Sequence, residues 1–227
     1  MIYHVSRIIA KMLFAPFVRI HVLRHAPGPR KGAWILAANH ISHFDPPILS
    51  VAARRKIDWM AMRELFAKGW AALFFRCIDT FPTDRDRADR AAVRTVLKRL
   101  ERGHVVGIFP EGGIRAGATS VLEGAAIRSN LAGLADAAGV PVLPCVIIGT
   151  DRLYNSRNWL PFRRTRIWIG FGDAIKADEA LAKAARREKL DRDLAEAFRE
   201  IHAGMQAHFS LTADDLPQTP RRRQGRE

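Results

Sequence analysis

Residues 33–53 read Ala-Trp-Ile-Leu-Ala-Ala-Asn-His-Ile-Ser-His-Phe-Asp-Pro-Pro-Ile-Leu-Ser-Val-Ala-Ala. An unbroken apolar run, Ala33–Ala38, stops at polar Asn39 and His40. Asp45 and Pro46 then open a second apolar segment. Asp at an N-cap and Pro in the first turn are helix-start signals, so Asp45–Ala53 is expected to be a helix capped by Asp45. A short run with apolar residues at both parities is a strand buried on both faces. The stretch is therefore a strand, a polar turn and a helix, the opening unit of an α/β domain.

The pattern repeats downstream. Ile57–Met62, Cys77–Phe81, His104–Phe109, Val140–Ile148 and Arg166–Phe171 read as strands. Between them, Leu65–Phe75 reads as a short helix. Asp86–Arg102 reads as a helix with Ala88, Ala92, Val96 and Leu100 on one face, ended by Gly103. Leu122–Ala138 reads as a helix closed by Gly139, and Lys176–Phe209 as one long or two shorter helices. The expected fold is one α/β domain with a central, largely parallel mixed sheet flanked by helices. Its expected limits are residues 32–211. Residues 212–227 are polar and basic, with Arg221, Arg222, Arg223 and Arg226, and are expected to be a disordered tail.

The 227-residue chain is 48% hydrophobic, with 37 Lys and Arg against 23 Asp and Glu, a formal net charge of +14. That apolar content excludes a wholly disordered chain. Cys77 and Cys145 alone exclude a disulfide framework and fit a reducing compartment. The longest charge-free runs, Gly32–Phe44 and Ala137–Thr150, fall short of the ~18 apolar residues of a spanning helix. Arg7 and Lys11 interrupt any secretory signal core. The expected location is therefore inside the cell. The excess positive charge calls for an anionic partner: nucleic acid, an anionic membrane surface or a phosphorylated substrate.

Residues 1–31 stand apart. No acidic residue precedes Asp45, while Arg7, Lys11, Arg19, Arg24, Arg30 and Lys31 are basic. Ile2, Val5, Ile9, Met12, Leu13, Phe17 and Ile20 recur at helical spacing. The expectation is an amphipathic helical segment split in two at Pro16. Two readings stand: a membrane-interface segment, or a helix packed on its own domain.

Three clusters carry candidate chemistry. In the first, His40 and Asp45 lie across the turn at a strand's carboxyl end, where open α/β folds place their sites. A carboxylate on one imidazole nitrogen fixes the tautomer and makes the other a general base. The residues also permit a plain surface turn, or a metal site through His40, His43 and Asp45. That spacing matches no metal motif, so no metal is expected, and His43 is a bystander; separately, no bound cofactor is expected. The second cluster is Phe109-Pro110-Glu111-Gly112-Gly113-Ile114-Arg115. Its glycines allow an anion or oxyanion site of backbone N–H groups, and Arg115 can meet a phosphate; an ordinary Pro-Gly turn is the other reading. The third, Phe81–Arg85, offers Arg85 as an anion ligand, or as the solvated start of a helix. Nucleophile elbow, Walker loop and dinucleotide glycine motifs are all missing from the sequence.

In order and spacing these clusters resemble the glycerolipid acyltransferase family, the 1-acylglycerol-3-phosphate acyltransferase type. Its His-x₄-Asp block is matched by His40 and Asp45. Its strand ending in Arg is matched by Phe81–Arg85, its Phe-Pro-Glu-Gly block by Phe109–Gly112, and its Val-Pro-x-x-Pro strand by Val140–Pro144. The resemblance spans Gly32–Gly149. It implies acyl transfer from acyl-CoA or acyl-carrier protein to a lysophospholipid, most directly 1-acylglycerol-3-phosphate, in phospholipid synthesis. His40 and Asp45 would be catalytic. Arg85, Glu111, Gly112, Gly113 and Arg115 would bind substrate. The protein would sit peripherally on the cytoplasmic face of an anionic membrane, with residues 1–31 at the interface. One departure concerns the acceptor: the family's Thr-Arg after Glu-Gly is Gly113-Ile114-Arg115 here, which leaves room for another lyso-lipid. A nucleic-acid-binding protein would explain the charge but neither the His-x₄-Asp nor the Phe-Pro-Glu-Gly block, so no nucleic acid is expected. A binding-only relative is at odds with the intact His40 and Asp45.

Overall fold

The computed structural model describes residues 2–24, 29–53, 55–62, 80–83, 90–160 and 164–219, and the single positions 69 and 223. The strands are β1 (Val18–Arg24), β2 (Trp34–Ala38), β3 (Ile57–Met62), β4 (Phe81–Thr83), β5 (Val105–Ile108), β6 (Val142–Ile148) and β7 (Thr165–Phe171). They form one sheet in the order β1-β7-β6-β2-β5-β3-β4. Every pairing is parallel except β6 with β7. The helices are α1 (Ile2–Phe14), α2 (Asp45–Ala52), α3 (Arg90–Glu101), α4 (Leu131–Ala138) and α5 (Lys183–Phe209).

The continuous apolar strands are explained by two cores, one on each face. Ile35 and Ala37 of β2 join Val106, Ile108, Val146 and Ile148 beneath α3, α4 and α5, where Val96, Leu134 and Phe198 pack. Leu36 and Ala38 face the other way, with Cys145, Ile147, Ile48, Leu49 and Phe14. β2 lies at the centre of the sheet, so its carboxyl end opens between β5 and β6. Both neighbours run parallel to it, which brings three strand ends to one edge.

Four expectations are corrected. Residues 18–24 are not a second amphipathic helix. Pro16 follows α1, and Val18, Ile20 and Val22 then alternate with Arg19, His21 and Leu23. That period of two places β1 beside β7. β-branched residues favour the pleated edge, and the few apolar residues after Pro16 fit a helical spacing as well as an alternating one. Residues 122–130 are not helical either: two 3₁₀ turns, Gly117–Thr119 and Val121–Glu123, end at Gly124, and α4 starts only at Leu131. Asp45 is the first residue of α2 rather than its cap; Phe44 holds the cap position without a side-chain bond. The tail is not wholly free, since residues 214–219 and 223 are ordered against the body and include part of a 3₁₀ turn, Ala213–Asp215. The expected helix Leu65–Phe75 apart from position 69, most of the strand Cys77–Phe81, and Arg85 lie outside the described residues.

Gly107 in β5 pairs with Trp59 of β3. A Cβ there would stand 2.5 Å from the Trp59 ring and 2.8 Å from Ile57, so the missing side chain makes room for the indole. Gly107→Ala is expected to cost about 1–3 kcal/mol through overpacking, read as a lower urea midpoint at unchanged slope. An unshifted midpoint would mean that the indole swings aside freely.

Candidate active site

Asn39 ends β2 with its side-chain amide on the main chain of β6, donating to Ile147 O at 3.0 Å and accepting from Ile147 N at 2.7 Å. The amide continues the ladder after β2 has stopped, and the chain turns away at His40. Asp45 then reaches back across the turn. Its Oδ2 accepts from Ile41 N at 2.8 Å and Ser42 N at 2.9 Å, and lies 2.8 Å from His40 Nδ1. Its Oδ1 accepts from Thr150 Oγ1, at the end of β6. Four donors on a fully buried carboxylate replace the water it loses. An ionised carboxylate only accepts, so Nδ1 carries the proton and Nε2 has a free lone pair. Nε2 has no hydrogen-bond partner among the described residues.

The imidazole is also held by a ring stack. Phe109 lies parallel to it at 4.0 Å between centroids, and Trp59 stacks on Phe109 at 5.0 Å. Phe109 follows β5 and Trp59 is in β3, so the neighbouring strands on one side set the ring plane.

The glycine loop packs directly on this turn. Glu111 is buried, and both of its oxygens are spent on protein. Oε2 accepts from His40 N at 2.6 Å; Oε1 accepts from Ser120 Oγ at 2.7 Å and Val121 N at 2.9 Å. Glu111 thus braces two loops, with both oxygens of its carboxylate paired inside the protein. Gly112 takes φ +69°, and its N–H closes a turn onto Phe109 O at 3.1 Å, so its amide is also engaged. The N–H groups of Gly113 and Ile114 have no partner among the described residues. Arg115 N donates to His40 O at 2.8 Å, which joins the loop to the turn a second time. Its side-chain Nε is buried with no partner among the described residues. Arg85 lies outside the described residues.

Sequence reasoning missed Thr150 and Tyr154. Thr150 follows β6, and no pattern tied it to Asp45. Tyr154 Oη lies 3.1 Å from His43 N, which donates to it, and is bonded to the His43 ring. Only the pairing of β6 with β2 brings these residues to the turn. Among the described residues, no three His, Cys, Asp or Glu converge as metal ligands. Cys145 is buried in β6, where burial pushes its thiol pKa up, so it acts as a packing residue.

A buried imidazole held through Nδ1, in a turn tied to a loop with unpaired backbone N–H groups, has the chemistry to serve as a general base. Residues 18–148 match the model of the family described as Acyltransferase, and the chain belongs to that family. It is 29% identical over 122 residues to a 1-acyl-sn-glycerol-3-phosphate acyltransferase of Bacillus subtilis (strain 168), covering 53% of this chain and 58% of that one. It is 28% identical over 176 residues to the Streptococcus pneumoniae (strain ATCC BAA-255 / R6) protein of the same name, covering 70% and 61%. The chain thus spans roughly three fifths of the length of these relatives. Its fold is like that of the 1-acyl-sn-glycerophosphate acyltransferase PlsC from Thermotoga maritima, with a TM-score of 0.61 at 22% identity, over 86% of this chain and 78% of that one.

Burial raises the Glu111 pKa above 4.5, against the opposing hydrogen bonds from His40, Ser120 and Val121. The folded state therefore holds this proton more tightly than the unfolded chain. By linkage, Glu111 costs stability increasingly as pH rises from about 4.5 toward its folded value, and nothing below both values. Relative to Glu111→Gln, the wild type should lose stability as pH climbs through that window, measured as denaturation midpoints from pH 4 to 7. A difference that is flat or rises with pH would refute this.

Proposed function

We propose that this chain transfers a fatty acyl group from acyl-CoA or acyl-carrier protein to the free hydroxyl of a lysophospholipid, most directly 1-acylglycerol-3-phosphate, giving phosphatidic acid. The observation that carries the reading is the His40–Asp45 pair, with Nδ1 fixed and Nε2 open at the carboxyl end of β2. The names of the relatives support the acceptor.

In this mechanism Nε2 of His40 takes the proton of the acceptor hydroxyl as its oxygen attacks the thioester carbonyl. Asp45 stabilises the imidazolium that forms. The oxygen–carbon bond forms and the carbon–sulfur bond breaks. The proton returns from His40 to the departing thiolate, which needs little help, since a thiol's pKa of about 8.5 lies far below an alcohol's. The oxyanion is stabilised by backbone N–H groups, for which Gly113 and Ile114 are the candidates, since Gly112 N–H is engaged. Arg115, with an unpaired buried Nε, and Arg85 would hold the acceptor phosphate. The Gly113-Ile114 departure shapes the loop beside that phosphate and bears on which lyso-lipid fits.

α1 suits the lipid side of this reading. Ala10 and Phe14 pack inward. Val5, Ile8, Ile9, Met12 and Leu13 form one exposed apolar stripe, Met12 at 71% exposure, with Lys11 exposed on the same helix. Among the described residues no helix is long and apolar enough to cross a membrane. A stripe of this kind beside basic charge suits burial in a headgroup region, with about 1 kcal/mol from each basic residue near an anionic surface.

Purified protein should release thiol from oleoyl-CoA only when lysophosphatidic acid is present. His40→Ala should lower kcat by about 10²–10⁴-fold while the protein stays folded. Release that is independent of acceptor, or undiminished in the variant, would count against the reading; if oleoyl-CoA fails, acyl-carrier protein is the donor to test before rejecting it. In a second assay, Ile8→Asp with Met12→Asp should weaken sedimentation with phosphatidylglycerol vesicles at least about tenfold, while thiol release in detergent holds. Equal sedimentation would remove α1 from the interface.

A further inference from the structure

The turn at Thr150–Tyr154 grips the His40–Asp45 loop at both ends, through Thr150 on Asp45 Oδ1 and Tyr154 on His43. Its second residue is Asp151, a carboxylate with 0% exposure. Within the turn, neighbouring Arg152 is paired with Asp215 at 2.6 Å and acts on Asp151 only as a lesser charge. The cation for Asp151 comes from the far end of the chain. Arg223 Nε stands 2.6 Å from Asp151 Oδ2, and Gln218 N donates to the same oxygen at 3.1 Å. Arg152 Nη2 also donates to Asp214 O at 2.9 Å, and Arg223 Nη2 donates to Leu216 O at 3.2 Å. The clasp is doubled with opposite polarity: an acid of the turn takes a base of the C-terminal segment, and a base of the turn takes an acid of it. That arrangement fixes the segment's register on the turn.

We infer that Arg223 is a positioning residue for the His40–Asp45 pair, acting through Asp151 and the Thr150–Tyr154 turn. A fully buried carboxylate cannot remain ionised without a partner. Without Arg223, Asp151 must take up a proton or turn toward water. Burial already raises its pKa, and Arg223 is the largest influence opposing the shift. Turning outward rotates the residue next to Thr150 and pulls the hydroxyl from Asp45 Oδ1. Asp45 then loses one of its four donors, and the imidazole loses part of its fixed orientation. The substrate-binding loop at Gly112–Arg115 makes none of these contacts, so the effect falls on the reacting group rather than on substrate binding.

The kinetic test rests on the acyl-transfer reading. With full-length protein, oleoyl-CoA and detergent-dispersed lysophosphatidic acid, Arg223→Ala should lower kcat about ten- to hundredfold, the cost of a displacement on the order of 1 Å at a reacting group. KM should stay within about twofold. Arg223→Lys should retain most of the rate. The double variant Asp151→Asn with Arg223→Ala should recover to within about threefold of wild type, because a neutral amide needs no cation. An Arg223→Ala rate equal to wild type, a change in KM alone, or a double variant as slow as the single one would overturn the inference. Amide hydrogen exchange at residues 149–155 reads the clasp without turnover: faster in Arg223→Ala, restored in the double variant. A wild type with that exchange pattern but no transfer activity would sink the acyl-transfer reading and leave the clasp standing; unchanged exchange would sink the clasp.

Discussion

The Asp45 carboxylate is the point on which the site depends. It is fully buried, and its oxygens collect two backbone N–H groups, an imidazole and a hydroxyl. Each of these donors comes at a structural cost. The two N–H groups require a tight turn over Ile41 and Ser42. The hydroxyl requires that β6 run beside β2, so that Thr150 arrives at the strand end. The imidazole must give up rotation about its side chain and lie against Phe109. A buried charge with fewer partners would cost several kcal/mol, so the geometry that orients His40 is also what makes Asp45 tolerable where it is.

Glu111 performs the matching service on the opposite side. It ties His40 N to Ser120 and Val121, and Arg115 N ties the same turn through His40 O. The His40–Asp45 loop is therefore held on one side by the glycine corner after β5 and on another by the turn after β6. Two carboxylates in adjacent loops have different work because their surroundings differ. Asp45 touches the imidazole and sets its tautomer, while Glu111 touches only main chain and a serine. The family match through residues 18–148 covers β1 to β6 and ends just before Thr150, so the turn that braces Asp45 lies beyond it.

Much of the fold could be read from local pattern. Apolar runs of strand length, separated by helical segments, describe a sheet covered on both faces, and the two cores have that form. The readings that failed share one cause. After Pro16 an edge strand was read as a second helix because threefold and twofold spacings coincide over a few apolar residues. At Leu122–Asn130 composition suited a helix, but Ser120 and Val121 are bound to Glu111, and Gly124 turns left-handed at φ +90°. Within residues 214–223, a polar, basic stretch looked free because its partner, Asp151, is distant in sequence and buried. In each case a tertiary contact outweighed a weak local preference.

The sequence by itself determined the class of fold, the His40–Asp45 pair and the glycine loop, because each of those signals lies within a few residues and its chemistry is local. Only the tertiary structure decided that Glu111 braces two loops, that the Gly112 amide is spent in its own turn, that Thr150 meets Asp45, and that Asp151 meets Arg223. A buried polar group takes whatever partner the packing of strands brings within reach. Strand order is set by burial of the whole sheet, which no short stretch of sequence contains.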